Sequence, residues 1–140
     1  MNYFFKLNAV SILYALMFFV PAELMVNVYR ISRLTGWEIG TVNTLTGVVL
    51  FIDITAGSVL LYFLAKIWLH GRKANFWNAI LWVPYFFLFT YIFASLFPIT
   101  HGGDDPNPAS GLLLMSGFIC YPFYILLLTF FGVAAEDKLN

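Results

Sequence analysis

The sequence predicts an all-α integral membrane protein. It forms one transmembrane domain over residues 1–140, an up-down-up-down four-helix bundle with both termini in the cytoplasm. Three observations carry this reading. The chain is 61% hydrophobic and only 10% charged, where a soluble domain carries about 25% charged residues. Its apolar residues fall into four runs, each near the roughly 20 residues that a helix needs to cross hydrocarbon. The charges gather in the gaps between runs, and those gaps are too short to hold a soluble domain. So few charges cannot cover a surface that faces water, and lipid is the expected solvent.

The first run covers residues 7–29. Lys6 precedes it, and Val20, Pro21 and Ala22 resemble the end of a cleaved signal peptide. Apolar character continues through Leu24, Met25, Val26 and Val28, so a retained span is expected. Glu23, Asn27 and Arg30 follow at steps of four and three and share one helix face. The next stretch, "ISRLTGWEIGTVNT", mixes Ile31, Leu34, Trp37 and Ile39 with polar residues. It suits either a short helix on the outer membrane surface or a plain loop.

The second run covers residues 45–69 and contains Asp53. Counted from Leu45, this acid lies about 12 Å deep, near the middle of a hydrocarbon core about 30 Å thick. A carboxylate facing lipid there costs about 2.5–3.5 kcal/mol on insertion scales. Asp53 should therefore turn towards other helices. Thr46, Leu50, Gly57, Leu60 and Leu64 share its stripe, and Gly57 suits close helix approach.

The third run covers residues 76–99, with Tyr91 and Ser95 on its outer half. The loop after it, "THGGDDPNPASG", offers His101, Asp104, Asp105 and Asn107. These are weak candidates for a hard cation, in a stretch whose residue types favour a solvated turn. The fourth run covers residues 111–134, where Ser116, Cys120 and Tyr124 recur every four residues and reach the depth of Asp53. Pro21, Pro84 and Pro122 each fall within a span and remove a backbone donor.

Orientation follows from Lys and Arg in short loops. Lys66, Arg72 and Lys73 mark the second turn as cytoplasmic, with Lys6 and Lys138 on the same side. Arg30 and Arg33 count against this but are outnumbered. Trp68, Trp77 and Trp37 sit near the expected boundaries, where indole rings prefer to lie.

Several function classes lose support. Net charge is zero, so nothing points to nucleic acid. The single cysteine allows neither a CxxC motif nor an internal disulfide. There is no phosphate-cradling glycine motif and no GxSxG. Neither histidine lies within a span, so haem is not indicated, and no cofactor is expected. Cys120 reads as a small buried residue. A Glu23–Asp53 pair would be an unusual peptidase dyad, so catalysis is not expected. No repeat relates the two halves, so an inverted-repeat transporter is not indicated either.

The stretches "VPAELMVN", "FIDITAG", "LHGRKANFW" and "CYPFYILLL" are similar in layout to the EXPERA-type four-span sterol-binding proteins. Those also carry acids in the first two spans, a basic second turn and a proline in the fourth span. The similarity covers the layout of most of the chain and no specific motif, and the first loop here is shorter. It implies a ligand pocket contacted by Asp53 and by Glu23 or Asn27.

The expected function is non-catalytic binding within the membrane. A partner membrane protein comes first, with this chain as an accessory, regulatory or immunity-type subunit or as a homo-oligomer. Second is a lipid or amphiphile in an interhelical pocket around Asp53. Third is ion- or proton-coupled transport by an oligomer, with the acid binding and releasing the charge. Candidate contacts are Asp53, Glu23, Asn27, Arg30, Gly57, Ser116 and Cys120. Compactness and the lack of targeting tails point to a bacterial cytoplasmic (inner) membrane.

Overall fold

Asn2 opens the first helix. Its side chain accepts a hydrogen bond from the Phe4 amide at 3.3 Å, satisfying one of the free N–H groups of a helix start. From there the computed structural model describes residues 2–139. Met1 and Asn140, the ends of the expected domain, lie outside the described residues. Helix α1 runs Tyr3–Val26. At Asn27 the backbone leaves helical geometry (φ −105°, ψ 14°). The Asn27 amide side chain donates to the Glu23 carbonyl oxygen at 2.8 Å and to Glu23 Oε2 at 3.1 Å. A side chain that competes for backbone acceptors in this way favours a break. The first run therefore ends three residues before Tyr29 as a helix.

Beyond the break, α2 covers Val28–Thr35 and stops at Gly36, whose φ of 75° is left-handed. Of the two expectations for this stretch, the short helix is the one present. Helix α3 runs Ile39–Phe63 and continues as a π-helical turn over Leu64–Trp68. It begins six residues before Leu45, since "IGTVNT" joins the helix although its polarity hides it in a hydropathy reading. A 3₁₀ turn at Lys73–Trp77 leads into α4, Asn78–Leu96. A second, Gly102–Asp104, precedes α5, Pro108–Asp137. Asn107 caps α5 by accepting from the Ser110 amide at 2.8 Å, and Pro108 occupies the first position, where no N–H is needed.

Four helical segments are long and apolar enough to cross a membrane: Tyr3–Val26, Ile39–Trp68, Lys73–Leu96 and Pro108–Asp137. The two of 30 residues reach about 45 Å, longer than the hydrocarbon layer, so their ends extend into the headgroup region or the helices tilt. The protein is a multi-pass helical bundle.

Helix α1 packs against α3, α4 and α5, and α5 packs against α3 and α4, which leaves α3 and α4 at opposite corners. Paired residues give the directions. Ser11 meets Asn78 and Phe19 meets Phe93, so α1 and α4 are parallel. Ser58 meets Tyr124 and Ala65 meets Gly132, so α3 and α5 are parallel. Tyr14 with Tyr121 and Phe18 with Phe118 make α1 and α5 antiparallel.

The core holds Val10, Tyr14, Leu61, Leu69, Trp82 and Ile125, all fully or nearly fully buried. At mid-height an aromatic cluster joins α1, α4 and α5. Trp82 meets Tyr121 edge-on, with ring centroids 4.7 Å apart, and Phe18 lies 5.1 Å from Tyr121. Lipid tails are as apolar as these side chains, so tight packing and small residues must hold the bundle instead. A Cβ added at Gly132 would stand 3.1 Å from the Ala65 Cβ, which shows how closely α3 and α5 approach at one end.

At that same end, the link from α3 to α4 has to cross the diagonal past α5. His70 and Gly71 both adopt left-handed φ, 53° and 56°. At Gly71 a side chain is also excluded by space, since an added Cβ would lie 2.6 Å from the Glu136 Cβ. Asn75 is fully buried and donates to the Ala65 carbonyl oxygen at 3.3 Å. This turn is a packed part of the bundle.

Candidate functional site: the Asp53 cavity

Between α1, α3 and α5 lies a cavity of about 430 Å³. That falls within the roughly 300–1,000 Å³ of small-molecule sites. Met17, Pro21 and Met25 of α1 form one wall, Leu50, Asp53 and Ile54 of α3 a second, and Leu114, Cys120 and Tyr124 of α5 a third. The spacing explains the walls: Met17, Pro21 and Met25 recur every four residues along one face.

Asp53 is the sole charged residue of that lining. Its Oδ2 is buried and, among the described residues, has no hydrogen-bond partner. It lies 14 residues after Ile39 and 15 before Trp68, at the midpoint of the second membrane-crossing segment. A buried carboxylate oxygen with nothing to bond is costly, and among the described residues none supplies it a partner. One side of the cavity is open: Ile54, Leu113 and Cys120 on the rim are exposed. For a bundle in a bilayer, that opening faces lipid.

Two tyrosines of α5 belong to the lining. Tyr124 shares a hydrogen bond with Ser58 across the α3–α5 seam. Tyr121 donates to the Tyr14 carbonyl oxygen at 2.6 Å. The polar tips of both rings are thereby held by protein partners.

The remaining expected contacts divide. Cys120 is on the lining, but it is exposed rather than the buried residue the sequence suggested. Gly57 is not on the lining; it faces Met17, whose sulfur would lie 3.0 Å from an added Cβ, and so lets α1 approach α3 beside the site. Ser116 departs from expectation. It is exposed, and its hydroxyl donates to the Leu112 carbonyl oxygen of its own helix at 2.9 Å. A step of four residues is slightly more than one turn, so Ser116 and Cys120 diverge enough to face different surroundings. Tyr91 and Ser95 are likewise exposed. On the Asp53 stripe, Thr46 is buried but Leu60 is 51% exposed.

Glu23, Asn27 and Arg30 form a separate group. They share a shallow groove with Phe93 and Phe97 on the α4 side of α1, away from Asp53. A single pocket holding both acids is therefore corrected to two sites on different faces of α1. Asn27 engages Glu23, as above. Arg30 donates to the Phe97 carbonyl oxygen at 2.9 Å, at the end of α4, where a cation complements the helix dipole.

The loop between α4 and α5 also differs from expectation. Asp104 is 2% exposed and accepts from Arg33 Nε at 2.8 Å and Arg33 Nη2 at 2.7 Å. Arg30 Nε stands 3.8 Å from the same carboxylate. The hydrogen bonds from Arg33 hold the Asp104 carboxyl below the usual carboxylate range. His101 and Asp105 stay exposed, and among the described residues no three metal-ligating side chains come together. Asp104 binds a guanidinium fork and is a strut between α2 and the loop.

Sequence reasoning passed over the polar residues at the other end of the bundle. Ser11 donates to Asn78 Oδ1 at 2.7 Å, and both are fully buried. Tyr85 donates to Asn8 Oδ1 at 2.6 Å. The available signal was the stripe Leu7, Val10–Ser11, Tyr14–Ala15, Met17, Pro21, which places Ser11 on the buried face. Comparison with family models, with curated proteins and with solved structures finds no match to this chain.

Proposed function

We propose that the protein binds an amphiphile within the membrane, in the cavity between α1, α3 and α5. The occupant is a molecule with an apolar body and one amine or hydroxyl that meets Asp53. The observation that carries this reading is the buried Asp53 Oδ2, without a protein partner, on the wall of an otherwise apolar cavity. The lateral opening supports loading from the bilayer.

The head-group chemistry is testable with three probes of one chain length. Dodecylamine and dodecanol should bind the purified protein in native mass spectra, and dodecanoate should bind at least about tenfold more weakly. That is the order expected for a hydrogen bond to a charged group against a like-charge contact. Asp53→Asn should abolish the preference. Equal binding of all three by the parent protein would refute the assignment of Asp53.

A second reading is that a partner helix supplies the missing donor. The exposed rim at Ile54, Leu113 and Cys120 favours it, because a polar side chain on a neighbouring helix could reach Asp53 through that opening. In that case a co-purifying protein, lost from Asp53→Asn, replaces the small-molecule adduct.

We further propose that both termini face the cytoplasm of a bacterium, with the bundle in its inner membrane. Five of the seven Lys and Arg residues, namely Lys6, Lys66, Arg72, Lys73 and Lys138, lie at the end that carries the termini. The two at the opposite end are engaged by Asp104, which eases their place outside. With Cys120 replaced by Ala, a cysteine at His101 should react with an impermeant maleimide on intact cells. Reaction at a cysteine placed at Lys73 instead would reverse the orientation.

A further inference from the structure

The α3–α5 seam has a second opening, at the end of the bundle that carries the chain termini. Tyr62 of α3 and Phe131, Ala134, Ala135, Lys138 and Leu139 around the end of α5 line a groove of about 550 Å³. Four of its six lining residues are apolar, and Tyr62 and Lys138 are the two that carry a polar group. Lys66 follows Tyr62 by about one turn on α3, close to the same face. The groove lies at the level of an interface, since Trp68 and Trp77 flank this end and indole rings favour that depth.

The surrounding charge is positive. Five cations gather here against Glu136 and Asp137, a surplus of three. Two of the five are already placed: Lys6 lies over the Trp68 ring at 5.6 Å, and Arg72 over the Tyr3 ring at 4.4 Å. Of the two acids, Glu136 packs its stem against Gly71 in the α3–α4 turn, and Asp137 is exposed. Among the described residues the ion pairs involve Arg30, Arg33 and Asp104 alone. Lys138 thus lines an apolar groove, and among the described residues neither Lys138 nor Lys66 makes an ion pair.

We propose that this groove binds one anionic phospholipid. Its acyl portion lies against Phe131, Ala134 and Ala135, and its phosphate lies beside Lys138, Lys66 and the Tyr62 hydroxyl. Apolar walls, the Lys138 cation on the lining with Lys66 one turn beyond Tyr62, and interfacial depth match such a lipid part by part. The inference is independent of what occupies the Asp53 cavity, whose lining shares no residue with this groove.

The test compares dioleoyl phosphatidylglycerol with dioleoyl phosphatidylcholine as adducts on the full chain in native mass spectra. The parent protein should retain phosphatidylglycerol preferentially. Lys138→Gln and Lys66→Gln should each lower that preference about fivefold, Lys138→Arg should keep it, and Lys73→Gln, in the turn, should leave it unchanged. Added glycerol phosphate should not displace the lipid. Three results would overturn the proposal: no preference in the parent, an equal loss with Lys73→Gln, or displacement by glycerol phosphate, which would assign the site to a free phosphate ester.

Discussion

Asp53 stands out among the residues because the structure brings it a cavity and no partner. Were it a structural contact between helices, its removal would leave a neighbouring donor unsatisfied and weaken the fold by about 1–3 kcal/mol. With Oδ2 unpartnered, the opposite is expected. Asp53→Leu should unfold at the same or a higher temperature than the parent in detergent, while losing the bound amphiphile. A marked fall in its unfolding temperature would mean that the carboxylate holds the bundle together. The importance of Asp53 was legible in the sequence, since one acid amid apolar residues is costly wherever it points. Its neighbours were less so. Met17, Met25 and Leu50 resemble any other apolar residue of a span, and only the crossing of three helices makes them a lining. Ser116 misled for a related reason: a hydroxyl satisfied by its own helix can face lipid, so polarity alone does not mark the inside.

Among the elements, α2 and the loop before α5 cap the end of the bundle opposite the chain termini, and Asp104 is the fastening of that cap. Fully folded, Asp104 has its pKa lowered by Arg33, so the unfolded chain binds a proton more readily than the folded one. The stabilisation is therefore present above the ordinary aspartate value of about 3.9 and is lost as pH falls through the lower folded value. Hydrogen exchange at the α2 amides, corrected for intrinsic rate, should be unchanged between pH 7 and pH 5 and should quicken below about pH 4. Asp104→Asn should show the quickened exchange at every pH. Exchange that loosens already near pH 6 would point to a different fastening. This cap was only half visible in the sequence. Composition favoured a solvated turn at Gly102–Asp105, and nothing in a one-dimensional reading pairs Arg33 with a residue 71 positions away. The π-helical turn at Leu64–Trp68 was hidden as well, and Ala65 within it meets Gly132 across the seam.

For the whole molecule, lipid as solvent explains most of what composition implied. In the most apolar window of the segment containing α3, 11% of residues are buried within the protein, and 6% in that of α4. A water-soluble bundle could not leave such faces open. The number of crossings was legible because hydropathy reads length directly. The order of helices around the bundle was not, since successive elements usually pack side by side, yet α3 and α4 stand at opposite corners with α5 passing between the ends of their link. That placement separates the Asp53 cavity from the Glu23 groove. The most direct measurement is the native mass spectrum of the protein extracted gently from the membranes in which it is made. A retained adduct of lipid-like mass, absent from Asp53→Ala of equal stability, is the result expected here. A bare parent protein, or an adduct that survives the substitution undiminished, would contradict the cavity as a binding site governed by that carboxylate.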